Sequence, residues 1–246
     1  PLLSAQVIIL DETDLHSAYK KLCLLGEELP ELSVNTSSIN GEEQLQIRVM
    51  GKIQLEILKS LVLDRFGIAI DFGPCRILYK ETVASSVMGY GHYEPLRHYA
   101  ETQVRIEPAE RNSGIKAESE CSLEVLDSNF QHLVLTHILE KEHVGILTGS
   151  PLTDVKIVLT AGRSHLKHTE GGDFREATYR AIRQGLEKAE SILLEPYYSF
   201  TLRVPSASLG RAISDIQRLC GEFDPPEVTE TAAIIKGSGP VSDRKS

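Results

Sequence analysis

Lys156-Ile-Val-Leu-Thr-Ala-Gly-Arg-Ser-His165, continuing through Leu166-Lys-His-Thr-Glu-Gly-Gly-Asp173 into Phe174-Arg-Glu-Ala-Thr-Tyr-Arg180, decides the architecture of this chain. A β-rich run enters a loop at 162–169 crowded with Gly, Arg, His and Lys, and a helix leaves it. Asp173, with Glu176 three residues on, has the form of a capping box. Phe174, Ala177, Ala181, Gly185 and Ala189 are expected on the helix's inner face, and Leu194-Glu195-Pro196 closes the unit.

Working back toward the amino terminus, residues 152–159 read as a strand. Asp127 or Ser128 can cap a helix carrying Phe130, Leu133, Val134, His137 and Ile138 at helical spacing and ending by Gly145. Residues 102–107 and 118–125 alternate as strands on either side of a 108–114 loop, and the pair is expected as a hairpin. Residues 84–92, Ala-Ser-Ser-Val-Met-Gly-Tyr-Gly-His, are small, polar and glycine-rich, which suits a connection between domains. His92 and His98, with Tyr90, Tyr93 and Tyr99, give that connection an aromatic-polar cluster, read as a packed hinge or a partner contact.

The first third alternates strands and helices. Residues 6–10 form a short apolar run, and Thr13 can cap a helix bearing Leu15, Ala18, Leu22 and Leu25. Two half-buried strands, 32–36 and 44–49, flank the Asn40-Gly41 turn signal. Gly51 opens a second helix with Ile53, Ile57 and Leu61, and Leu58 and Val62 beside them, on its apolar face. Strands at 68–72 and 76–79 complete a β-α-β-β-α-β order, the ferredoxin-like pattern. After Pro196 a strand at 198–204, a helix at 207–220 with Leu209, Ala212, Ile213, Ile216 and Leu219 inward, and a strand region at 228–236 begin the same pattern again. The expected class is α+β: a ferredoxin-like unit at 1–83, an α/β unit at 84–195, and an incomplete ferredoxin-like unit at 196–246.

A charge of −9 argues against indiscriminate nucleic-acid binding, so any RNA contact must be local. Between residues 156 and 188 seven Lys and Arg stand against four Asp and Glu, a local +3 that is either an RNA face or a solvated helix with ordinary ion pairs. Cys23, Cys75, Cys121 and Cys220 are scattered without a Cys-x-x-Cys pair, so buried free thiols are expected. His165 and His168 near Asp173 raise the question of a metal or acid/base site, but the loop offers no third ligand in sequence and no metal is expected. No apolar run is long enough to span a bilayer and the first residues lack the pattern of a signal peptide, so a cytoplasmic protein is expected.

The block 156–199 resembles the tip of the fourth domain of elongation factor G and of the tetracycline-resistance ribosomal protection proteins. Val49-Met50-Gly51-Lys-Ile-Gln-Leu-Glu-Ile57 with Tyr79-Lys-Glu-Thr82 resembles the family's third domain, and residues 196–246 resemble its fifth domain without the last helix and strand. Glu107-Pro108-Ala-Glu-Arg-Asn-Ser-Gly114 and Ser128-Asn-Phe-Gln131 look closer to the protection branch, whereas Gly162-Arg-Ser-His165 resembles the elongation factor's own loop, with His165 at its tip histidine.

The resemblance implies a ribosome as partner, through small-subunit rRNA and proteins and the large-subunit factor site, with no oligomer implied. It implies RNA contacts at Arg163, Ser164, His165, Lys167, His168 and Thr169, and at Asn112 and Ser113. Arg163 and Lys167 suit phosphates, while imidazoles stack on bases. It implies GTP and magnesium for a preceding nucleotide domain. This chain has no Gly-x-x-x-x-Gly-Lys-[Ser/Thr], so no catalytic or cofactor residue is expected here and no GTP hydrolysis by the chain alone. Drug release from the ribosome, a translocation or rescue factor, and a protein-binding module that never meets RNA are the functions left open.

Overall fold

Leu3, Ala5 and Val7 fall on one face of β1 (Leu3–Ile9), and that alternation buries them together. The computed structural model, which describes residues 2–39 and 42–241, continues with α1 (Leu15–Glu28), β2 (Ser33–Ile39) and β3 (Glu42–Val49). It then runs through α2 (Lys52–Phe66), β4 (Ile70–Phe72) and β5 (Arg76–Ile77). The sheet order is β2-β3-β1-β4, with β5 also on β1, and every pairing is antiparallel. This is the ferredoxin-like arrangement expected from the element order. The Asn40-Gly41 turn signal lies outside the described residues.

Two details of this segment differ from expectation. Asp14, not Thr13, caps α1, its carboxylate accepting from the Ser17 N–H at 2.9 Å. In α2 the buried stripe is Leu55, Leu58 and Val62, while Ile53 and Ile57 are 79% and 58% exposed. Apolar residues surround α2 on several sides, so spacing alone could not choose the face; packing on the sheet does.

Residues 79–194 form a second unit, while 1–78 group with 195–246. The boundary expected at 83 therefore falls after Leu78. The cause is β6 (Lys80–Val83), which pairs with β11 (Ser191–Leu194) and puts Val83 into the second unit's core. Between them run β7 (Val87–Tyr93), β8 (Ala100–Pro108), β9 (Ile115–Ser119), α3 (Ser128–Leu139), β10 (Val155–Ser164) and α4 (Gly171–Lys188).

The sheet order of this unit is β7-β8-β10-β9. Strand β9 pairs parallel with β10 and does not form a hairpin with β8, because β10 occupies the position between them. The expected interdomain connection at 84–92 is largely strand β7. Its glycines answer to packing: a Cβ on Gly89 would meet the Ala181 carbonyl oxygen at 2.0 Å, and one on Gly91 the Ala177 oxygen at 1.8 Å. Glycine on the strand and small residues on α4 let the two backbones approach. Phe174, Ala177, Ala181 and Leu186 are then buried against Val104, Ile106 and Ile157.

The last segment contains β12 (Tyr197–Pro205), a 3-10 turn at Ser206–Ser208, α5 (Leu209–Arg218), β13 (Glu222–Phe223), β14 (Glu227–Val228) and β15 (Ala232–Pro240). β15 pairs with β12 along its full length and runs to Pro240, beyond the strand end expected at 236. Of the five residues expected inward on the 207–220 helix only Ile216 is buried, and Leu219 is 56% exposed. Among the described cysteines only Cys121 is buried, Cys220 is exposed, and all four are free thiols. Among the described residues no helix is long and apolar enough to cross a membrane.

Candidate nucleic-acid interface

The register of the second unit's sheet fixes which loops meet. Ala100 faces Tyr93 on β7 and Ser164 on β10, so the turn between β7 and β8 and the loop between β10 and α4 leave the sheet at the same end. Strand β10 continues through Arg163 and Ser164, which pair with Glu101 and Ala100, and the loop proper begins at His165. The helix also starts earlier than predicted. Glu170 is the N-cap of α4, and Asp173 is its third helical residue, accepting from the Glu170 N–H at 2.9 Å. The capping pair is thus Glu170 and Asp173, shifted by three residues from Asp173 and Glu176.

A short chain of bonds ties the two loops together. The Thr169 hydroxyl donates to the Tyr99 carbonyl oxygen at 2.6 Å and accepts from the His165 N–H at 2.7 Å. His98 Nδ1 stands 2.8 Å from an Asp173 carboxylate oxygen. Rings and cations gather around these bonds. Tyr99 lies 6.3 Å from His165 and 5.6 Å from His92 between centroids, and the Arg163 guanidinium sits 5.9 Å from the Tyr99 ring. His165 and His168 stack at 4.7 Å, and Arg180 lies 5.0 Å from the Tyr93 ring while donating to the His92 carbonyl oxygen. The aromatic cluster, read from sequence as a packed hinge or a partner contact, therefore lies at this tip.

Hydrogen bonding to Glu101, then burial, push the Tyr99 phenol above its ordinary value, so it stays a neutral ring. Among the described residues Arg163 and Lys167 form no ion pair, whereas Lys156 meets Glu107 and Glu118, Arg175 meets Glu140, and Arg183 meets Glu187. Three of the seven cations behind the local +3 are thus paired along the unit, while Arg163 and Lys167 at its end are not, and Arg180 and Lys188 lie over the Tyr93 and Tyr90 rings.

Six of the eight predicted contact residues, 163–165 and 167–169, come together here. Asn112 and Ser113 do not. They sit in the loop after β8, where Pro108 faces Val155 at the start of β10, roughly 30 Å away along a ten-residue strand. Asn112 has φ 65°, beside an Arg111–Asp154 pair at 3.9 Å, which is turn chemistry rather than part of the tip. Spacing gives no sign of this separation, because it suggests a β8–β9 hairpin where β10 in fact lies between the two strands. Tyr99, His98, Asp173 and Arg180 are not among the contact residues expected from sequence; the rings at 90–99 hint at the first two, Asp173 enters there only through the metal question, and Arg180 only through the local charge.

The tip has the makings of a binding surface. Asp173 is fully used by the Glu170 N–H and by His98, and among the described residues no group of three His, Cys, Asp or Glu is placed to hold a metal ion. What is presented is imidazole and phenol faces interleaved with guanidinium and ammonium groups, the chemistry that meets unstacked bases and phosphates.

Comparison with known proteins gives this geometry a context. Residues 75–190 match the family model described as elongation factor G, domain IV. A protein named tetracycline resistance protein TetP, from Clostridium perfringens, is 31% identical over 247 residues, an alignment covering 100% of this chain and 37% of that protein. The chain spans little more than a third of that relative. A crystal structure of a Thermus thermophilus protein matches the fold with a TM-score of 0.74 at 24% identity, over 97% of this chain and 36% of that one.

Proposed function

We infer, from the premise that the chain is elongation factor G-like with a domain IV at residues 75–190 and a tetracycline resistance protein among its relatives, that it is the ribosome-contacting part of a cytoplasmic translational GTPase. The observation that carries this reading is the assembled tip: Arg163, His165, Lys167 and His168 on one loop, held through Thr169 to Tyr99 on the other. In this reading residues 1–78 act as the third-domain-like part, 79–194 as the arm toward the small subunit's decoding region, and 195–246 as fifth-domain-like. GTP and magnesium belong to a nucleotide domain elsewhere in the protein.

Ribosomal protection is the specific version we favour, because the similarity to the tetracycline resistance protein runs over the whole chain. The tip would enter the decoding region and exclude the drug by occupying its surroundings, with Arg163 and Lys167 holding phosphates and His165 a base.

Sedimentation of the chain with purified small ribosomal subunits over a salt series tests the contact. Arg163→Ala should weaken binding and flatten the salt dependence by about one unit of slope. His165→Ala should cost on the order of 1 to 3 kcal/mol with the slope kept. Unchanged binding in both variants would remove the tip from the interface. Growth and in vitro translation with tetracycline, using the complete parent protein, separate protection from a translocation or rescue role.

A further inference from the structure

Both loops of the tip carry the same three kinds of residue in the same order, Leu96-Arg97-His98 after β7 and Leu166-Lys167-His168 after β10. In each the leucine is thrust into solvent: Leu96 is 91% and Leu166 106% exposed, the two most exposed large apolar side chains among the described residues. Neither contributes to a core. We propose that these are two matched prongs of one RNA-binding tip, in which each leucine wedges beside an unstacked base while Arg97 and Lys167 meet the neighbouring phosphates. This rests on the RNA-contact reading given above and assigns residues that it does not use.

Three observations carry the proposal. First, the prongs are mechanically joined, since Thr169 bonds the Tyr99 carbonyl on one side and the His165 N–H on the other, and His98 is anchored on Asp173. They can act as a unit.

Second, the turn that presents Leu96 is held in a costly form. The His98 N–H donates to the Pro95 carbonyl at 2.9 Å, and Arg97 sits at φ 66°, a left-handed conformation in which glycine would be at ease. The turn accounts for the positive φ but favours glycine or asparagine there, so an arginine held at that position beside a fully exposed leucine fits a side chain kept for binding.

Third, the surroundings select the partner. A bare leucine next to a cation on each prong, with the Arg163 guanidinium beside the Tyr99 ring, suits a polyanion that also offers apolar faces, which unpaired RNA does. Of the nearby carboxylates, Glu94 lies 2.9 Å from His92, Glu101 accepts from Tyr99, and Asp173 accepts from His98; Glu170 caps α4. An apolar protein groove would take the leucines but would not need the cations in register with them.

The test uses the full chain, purified small ribosomal subunits and a potassium chloride series. Leu96→Ala and Leu166→Ala should each weaken binding about tenfold with the salt slope unchanged, since a wedge works by contact and not by charge. Lys167→Ala and Arg97→Gly should each lower the slope by about one. The melting temperature of Arg97→Gly should not fall, because glycine accepts φ 66° without strain, so its binding loss is not misfolding. Leucine variants that bind like the parent, while Arg163→Ala still weakens binding, would overturn the prongs and leave the RNA reading standing. If Arg163→Ala is silent and binding is insensitive to salt while the leucine variants still lose affinity, the partner is an apolar surface, and both readings fail.

Discussion

His98 Nδ1 lies 2.8 Å from the carboxylate of Asp173, a group only 5% exposed that also accepts the Glu170 N–H with its other oxygen. One carboxylate therefore fixes the start of α4 and pins the neighbouring turn to it. Backbone donors at a helix N-terminus favour negative charge, which makes Asp173 the natural post for both loops.

Asp173→Ala should accordingly lower stability by about 1 to 2 kcal/mol, the usual cost of a lost cap, and loosen the turn at 94–99 as well. His98→Ala should loosen the turn with a smaller loss of stability, because α4 keeps its cap. Hydrogen exchange followed by mass spectrometry reads both segments. Protection that stays intact at 94–99 in Asp173→Ala would show that the turn does not depend on this post.

Gly91 and Gly172 make a matched pair of opposite expectations. A Cβ at Gly91 would press on the Ala177 carbonyl oxygen at 1.8 Å and on the Ala181 nitrogen at 2.6 Å, backbone atoms that cannot swing aside. Gly91→Ala should destabilise the second unit by roughly 3 kcal/mol or more, or prevent its folding. At Gly172, in the first turn of α4, a Cβ has nothing within 4 Å, and Gly172→Ala should be neutral or stabilise by up to about 1 kcal/mol. Denaturant midpoints decide; equal effects of the two changes would remove close packing as the reason for glycine in β7.

How far the sequence alone reaches is clear from particular residues. The ferredoxin-like order of the first segment was legible because α1 has one stripe, Ala18, Leu22 and Leu25, and the strands alternate. The face of α2 was not, since Ile53 and Ile57 are as apolar as Leu55 and Leu58 and only the sheet distinguishes them. Gly89 and Gly91 read as a linker because glycine serves both loops and close packing, and the partner that separates the two meanings lies some ninety residues on, at Ala177 and Ala181. The tip was half legible. Residues 163–169 announce themselves as a cationic, histidine-rich loop, whereas His98 and Tyr99 reach it only through a sheet register that spacing does not carry.

Glu81 shows the same limit and gives a prediction on pH. It is wholly buried, and its carboxylate accepts from the Leu147, Thr148 and Ser150 N–H groups and the Thr148 hydroxyl, holding the 145–150 loop. Burial opposes its charge, but these four donors together keep its pKa below the ordinary 4.5. His143 is also buried, and burial, helped by the charge of Lys141, holds its pKa below 6.5 against a bond to the Ile138 carbonyl.

Both folded pKa values lie below the unfolded ones, so both groups stabilise the fold above their ordinary values and lose that contribution as pH falls. Acid destabilisation should begin below about pH 6.5 through His143 and steepen below about pH 4.5 through Glu81. Glu81→Gln should cost roughly 2 to 4 kcal/mol at pH 7, since an amide nitrogen would face donors, and should remove the steeper step. Urea midpoints from pH 3 to 8 check this; a step below pH 4.5 that survives in the variant would assign it to other carboxylates.

At the other end of the pH scale the group to watch is Tyr179. Burial first, and then its bond to Glu140 at 2.7 Å, raise its phenol to about 12, while Glu140, held chiefly by that same bond, is lowered to about 2. The two shifts agree: the pair wants a neutral phenol and a charged carboxylate, which also takes Arg175 Nε at 3.0 Å. A folded pKa above the unfolded value means that the contribution is complete below about pH 10 and is lost as pH rises through about 12. In a tyrosinate absorbance titration Tyr179 should be among the last of the tyrosines to ionise, and Tyr179→Phe should delete that late step. Glu140→Gln should move the step toward the ordinary value, because the charge that opposes ionisation is gone. A late step unchanged in both variants would place the resistant phenol elsewhere, with Tyr99 and Tyr198, both also raised, as the next to substitute.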